Sequence, residues 1–196
     1  MAVPSETTVR SAASATAVFG ARGSGLVILA RYVLDGLGLD QAHDFEPIYL
    51  DRAGDGPAMV LDGRAAALWG GGVGWPGFAA VASAGGRFLA PDADGIRRIQ
   101  ARHAFLQTLT VPAGSYPGQR EPIVSVGSWS FILARPSLHE ETVYRLARAL
   151  HAGEPALAKR LPQAAETTSA NTLAAAPSCE LIHNGVRRHL RELGLV

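Results

Sequence analysis

Three short stretches of this chain carry residue types and spacings that can do chemistry. The first is Gly20-Ala21-Arg22-Gly23-Ser24-Gly25, between a strand-like run over residues 15–19 and a run of apolar residues at helical spacing over 26–37. A glycine turn feeding a helix presents amide N–H groups that have no partner within the helix, and the missing side chains let an anion approach the backbone. Ser24 is placed either to cap the helix or to lend its hydroxyl to a carboxylate. The same residues also fit a tight turn with a capped helix and nothing more. Neither a Walker lysine nor a complete dinucleotide fingerprint accompanies them, which argues against nucleotide binding.

The second stretch runs from Trp69 to Trp75, with Gly70, Gly71, Gly72 and Gly74 between the two indoles, at the C-terminal end of a short buried strand over residues 65–69. Open α/β sheets bind their ligands at such strand ends, where glycine gives access and an indole gives a flat wall. The alternative is that both indoles belong to the core and the glycines only turn the chain. The third stretch holds Cys179 and His183, four residues apart and able to share a helix face. A nucleophile also needs an orienting third group and an oxyanion site, and nothing in the sequence marks either, so no catalytic residue is expected. Asp51, Asp55 and Asp62 flank glycines without the spacing of a calcium loop and read as turn and cap residues.

Composition narrows the classes further. Eighteen Lys+Arg against 17 Asp+Glu leave almost no net charge, so the electrostatic footprint of a nucleic-acid binder is missing. The single cysteine cannot form an intramolecular disulfide, and no Cys/His spacing resembles a metal site, so neither metal nor cofactor is expected. No signal peptide is visible in the first residues, and no apolar run has the length of a membrane span.

The elements that must position these stretches alternate. Strands are expected over residues 15–19, 44–50, 65–69, 87–90 and 105–111, with helices over 26–37, 54–62, 76–84 and 91–102, the order a parallel sheet with helical crossovers requires. Prolines and glycines then interrupt regular structure over 112–122. After them come an apolar run, 123–134, long enough for one or two buried strands, a helix over 136–151, and a final amphipathic helix over 181–195 carrying Arg187, Arg188 and Arg191. The organisation expected is an extended or disordered start (1–14), an α/β ligand-binding lobe (15–111), a crossing loop (112–122), and returning strands with C-terminal helices (123–196).

Together these segments resemble the TAXI family of TRAP-transporter solute receptors. The resemblance runs from about Val18 to the C-terminus. It is carried by the Gly20 to Gly25 turn with residues 30–39, by Leu61-Asp62-Gly63-Arg64-Ala65-Ala66-Ala67, by Gly72-Val73-Gly74-Trp75-Pro76, and most specifically by Val111-Pro112-Ala113-Gly114-Ser115-Tyr116-Pro117-Gly118-Gln119. It implies an α/β fold of the periplasmic-binding-protein kind (type II), a mixed sheet flanked by helices with additional C-terminal helices. It also implies a periplasmic receptor that binds a small anionic solute, such as glutamate or another carboxylate, and delivers it unchanged to TRAP transporter membrane subunits. Carried over residue by residue, the ligand-binding set is Arg22, Gly23, Ser24, Gly25, Trp69, Gly70, Gly71, Trp75 and Tyr116, with Tyr116 ranked below the two turns.

The chain departs from the family in two ways. Members have an N-terminal lobe of comparable size before the Gly20 segment, so the expectation is either a fragment or a short relative. A short relative would complete its pocket as a homodimer or with a partner chain supplying the missing lobe. Trp69 and Trp75 also replace smaller residues. A rival of another class is an interaction domain that has kept the lobe and lost its cleft; a hydrolase would need turnover sensitive to Cys179 or Ser24.

Overall fold

The computed structural model describes residues 15–196; the expected extended start over 1–14 lies outside the described residues. The chain forms two compact units, one ending at Ser128 and the other spanning Trp129–Val196.

The first unit is built around β1 (Thr16–Ala21), whose four central residues are all buried. A strand buried on both faces reads as a continuous apolar run, and this one does. It is followed by α1 (Gly25–Gly36), β2 (Glu46–Leu50), a 3-10 turn, α2 (Gly56–Leu61) and β3 (Ala67–Leu68). β1 pairs in parallel with both other strands, in the order β2-β1-β3. Alternation along β1 sends Ala17 and Phe19 against Ala30 and Leu34 of α1. Val18 points the other way, into a cluster with Leu50, Ala65 and the α2 residues Met59 and Val60. Helix α1 stops at Gly38, whose φ of 77° only glycine adopts freely, and the Leu39 amide donates back to Leu34 O at 2.9 Å.

Next come α3 (Pro76–Ser83), α4 (Ala93–Arg102), β4 (Gln107–Val111) and β5 (Ile123–Gly127). Asp92 caps α4 by accepting from the Gly95 amide at 2.7 Å. β4 and β5 form an antiparallel pair across residues 112–122. A third cluster, Val33, Ile99 and Leu106, joins α1, α4 and the hairpin, and Val126 and Trp69 pack on its edge.

In the second unit α5 (Glu140–Arg160) begins with Glu140 and Glu141 and ends with Lys159 and Arg160, charges that suit the two ends of the helix dipole. It is followed by α6 (Ser169–Ala175) and α7 (Asn184–Glu192). The apolar side of α7 is covered by α5: Leu190 is buried, as are Val143 and Tyr144, and Gly185 lies so close to the Glu140 carbonyl and Tyr144 amide that no Cβ fits there. The Tyr144 hydroxyl donates to the Glu192 carboxylate at 2.9 Å, and Arg188 stacks 3.9 Å from the Tyr144 ring centroid while pairing with Glu141.

The strand expected over 87–90 does not form, and residues 86–92 are irregular. Phe88 is instead drawn into a ring cluster, 5.4 Å from Phe78 and 4.8 Å from Tyr116. The apolar run 123–134 supplies one strand; beyond it Phe131, Ile132 and Leu133 are exposed. The helix expected to end near His151 continues through Gly153 and Pro155 to Arg160.

Helices α1 and α4 touch backbone to backbone at Gly36, where an added Cβ would lie 2.5 Å from Ile99 Cα. Alanine raises helix propensity by up to about 1 kcal/mol, but overpacking against an unyielding backbone costs about 1–3 kcal/mol, so the clash wins. G36A is therefore expected to lower the urea midpoint by the equivalent of about 1–2 kcal/mol. A midpoint unchanged or raised would contradict the close approach.

Candidate functional site

Because β1 is parallel to both neighbours, the chain leaves all three strands at the same edge of the sheet. The two glycine stretches emerge there. In the first, Gly20 (φ 108°) and Gly23 (φ 71°) take left-handed conformations. The Arg22 amide donates to Leu50 O at 3.0 Å, the Ser24 amide to Ala21 O at 3.0 Å, and the Val27 amide to Ser24 O at 3.1 Å. The turn is thus tied to β2 on one side and runs directly into α1. The second stretch is fastened to β1 by the Trp69 amide, which donates to Val18 O at 2.7 Å. A Cβ on Gly71 would lie 2.8 Å from Leu26 Cδ2, so this loop rests on the first turn of α1. The fold thereby brings Gly23, Ser24, Gly25, Gly70 and Gly71 to one place.

Ser24 occupies the N-cap position with extended backbone (φ −73°, ψ 151°), yet its side chain makes no capping bond. Its Oγ is shielded from solvent and hydrogen-bonds no group among the described residues. An unsatisfied buried hydroxyl costs about 1–3 kcal/mol, and capping would recover about 1 kcal/mol.

The aromatic residues sit differently. The Trp75 ring is pressed between two glycines, its edge carbons 2.5 Å from where a Gly70 Cβ would be and 2.7 Å from that of Gly77. It meets Phe78 edge-on at 5.0 Å. Trp69 packs against the two core clusters on the α1 side, with Nε1 buried and unpartnered. Both indoles are thus engaged in packing. Tyr116 is buried, and its hydroxyl accepts from the Gly74 amide at 2.9 Å and donates to Gly72 O at 3.2 Å, clamping the glycine loop from behind.

Tyr116 is in turn positioned by Gln119. The Gln119 Oε1 accepts from the Tyr116 amide at 3.2 Å, while its Nε2 donates to Pro112 O at 2.9 Å and Glu121 O at 2.8 Å. Gly114 and Gly118 supply the left-handed turns that close this loop. The supporting residues Leu26 and Phe78 escape a reading by residue chemistry, since aliphatic and aromatic side chains at helical spacing carry no mark of the loop they hold, while Phe88 and Gln119 lie in irregular segments. Only the proline-glycine-glutamine run after Tyr116 hints at a built turn.

Neither His183 nor His151 is arranged as a catalytic base. His183 spends both ring nitrogens on backbone, Nδ1 accepting from the Gly185 amide at 3.2 Å and Nε2 donating to Leu138 O at 3.1 Å. Ser169, His151 and Glu154 do come together, but the Ser169 Oγ (3.2 Å) and Glu154 Oε1 (3.1 Å) both meet His151 Nδ1. A proton relay needs the hydroxyl and the carboxylate on opposite ring nitrogens. This triangle cross-links α6 to α5 instead, with the Ser169 amide donating to Glu154 at 2.7 Å. Among the described residues no three His, Cys, Asp or Glu side chains are grouped to hold a metal ion. Burial pushes the Glu154 carboxyl up, but the Ser169 amide, the His151 ring and the Ser169 hydroxyl outweigh it and hold it below its ordinary value.

Two expectations follow. A depressed carboxyl stabilises the fold above the ordinary glutamate range and loses that contribution as pH falls through it, so E154Q is expected to reduce the acid-side slope of unfolding free energy against pH. An unchanged slope would contradict the cross-link. Y116F removes the oxygen shared by Gly72 and Gly74 and is expected to cost about 1–2 kcal/mol. It should also speed hydrogen exchange at the Gly74 amide; an unaltered rate would contradict the clamp.

Among the described residues no helix is long and apolar enough to cross a membrane. No curated protein matches the chain. The sequence model of the NMT1-like family, a periplasmic solute-binding-like family of binding proteins rather than enzymes, matches residues 7–194. With a mixed α/β unit built on a small parallel sheet, and with nearly the whole length covered, this chain belongs to the NMT1-like family.

Proposed function

We propose that this protein is a solute-binding receptor that captures a small anionic solute, a glutamate-like amino acid or another small carboxylate, without transforming it. The observation that carries the reading is the Ser24 hydroxyl: buried, making no capping bond, and lying in the Gly20–Gly25 turn where β1 ends and α1 begins. A carboxylate there meets the start of α1, where helix amides and the helix dipole favour negative charge. Gly23 and Gly25 allow close approach, Gly70 and Gly71 form the opposite rim, and Arg22 adds positive charge. Tyr116 and Trp75 act from behind, fixing the rim. The resemblance to TRAP-type receptors supports membrane permease subunits as the partners that take the solute, and the family supports a periplasmic setting.

The test begins with a thermal-shift screen against amino acids and di- and tricarboxylates, since a ligand at 100 times its dissociation constant adds about 2.7 kcal/mol to stability. S24A is then compared by calorimetry with the wild type. Losing a hydroxyl bond to a charged group, worth about 1.5–3 kcal/mol, is expected to weaken binding about 10- to 100-fold. The unliganded S24A protein should be as stable as the wild type or more so, because the hydroxyl caps nothing. Unchanged affinity would overturn the site, and a destabilised apo protein would return Ser24 to a capping role.

A further inference from the structure

We infer that Tyr49 is a positioning residue for Arg22: its ring holds the guanidinium at the binding edge of the sheet, so that the site discriminates charged from uncharged solutes. This rests on the receptor reading above.

The placement follows from strand register. In the β1–β2 pairing Gly20 lies opposite Tyr49 and Ala21 opposite Leu50, and the Arg22 amide bonds Leu50 O, so Arg22 continues the pairing past the strand end. Alternation on β2 separates the two side chains. Leu50 enters the cluster with Val18 and Ala65, whereas Tyr49 packs against the cluster of Ala17, Phe19, Ala30 and Leu34. The ring is thereby fixed by the core, and the Arg22 Cζ lies 5.7 Å from its centroid. Such a distance is within reach of a cation–π attraction.

Arg22 is exposed and takes part in no ion pair among the described residues, although Asp51 and Asp55 follow β2 closely in sequence. A guanidinium seated on a ring keeps its in-plane N–H donors available, which one neutralised by a carboxylate does not. Tyr49 therefore supplies position without consuming charge. It acts on the β2 side of the turn, opposite the β3 side where the Gly70–Gly71 loop meets Leu26.

The test uses the full chain and whichever of L-glutamate, succinate and citrate stabilises the wild type most. Loss of an exposed cation–π contact is expected to weaken binding by Y49L about two- to fivefold. Y49F, which keeps the ring, is expected to retain wild-type affinity. In the Y49L/R22Q double variant the leucine is expected to add no loss beyond that of R22Q, which a merely structural role for Tyr49 would not produce. A readout independent of solute is the Arg22 Nε–H resonance, expected to show a ring-current shift that Y49F keeps and Y49L loses. Wild-type binding with Y49L unimpaired, or additive losses in the double variant, would overturn the role of Tyr49 and leave the receptor reading standing. A wild type that binds none of the three probes would overturn this inference together with that reading.

Discussion

Parallel pairing on both sides of β1 is the constraint from which the rest of the structure follows. A parallel neighbour cannot be reached by a tight turn, so each strand must be followed by a crossover, and each crossover must leave from the same edge of the sheet. With β1 in the middle, the Gly20–Gly25 turn and the Gly70–Gly74 loop become neighbours although some fifty residues separate them in sequence. The Trp69 amide bonded to Val18 O and the Arg22 amide bonded to Leu50 O are the local expression of this arrangement. The site is thus a property of topology first and of side chains second.

Glycine loops are entropically costly to hold, and this one is held by aromatic packing and a single phenol. Trp75, Phe78, Phe88 and Tyr116 contact one another in a chain of edge-on and tilted rings. The Tyr116 hydroxyl at the end of that chain satisfies one carbonyl and one amide of the loop. The backbone of this loop is therefore held by its own packing, and under the proposed function amide donors held in this way would bind an anion with little reorganisation.

Much of this was legible in the sequence, for reasons that can be named. The strand-turn-helix at Gly20 showed because a parallel strand buried on both faces gives an uninterrupted apolar run, and because α1 has a regular apolar face. The loop fold around Gln119 was foreshadowed by its prolines and glycines, but the bonds from Tyr116 to Gly72 and Gly74 were not, because a bond across more than forty residues leaves no local pattern. The same limit explains the region 87–90, where apolar residues suited to a strand serve instead to bring Phe88 to the ring cluster. For the indoles, sequence offered a wall or a core; both are half-buried, Trp69 against two core clusters and Trp75 between Gly70 and Gly77. For Ser24 sequence left a cap and a ligand contact both open, and the geometry shows the N-cap position without a side-chain capping bond.

The central claim is that an anionic solute binds where the two glycine turns meet. It is tested most directly by titrating the ¹⁵N-labelled protein with L-glutamate and dicarboxylates while following the backbone amides. Saturable shifts concentrated at Gly23, Gly25, Leu26 and Gly70 through Gly74 are the expected result. Saturable shifts elsewhere, or none with any carboxylate, would contradict the account.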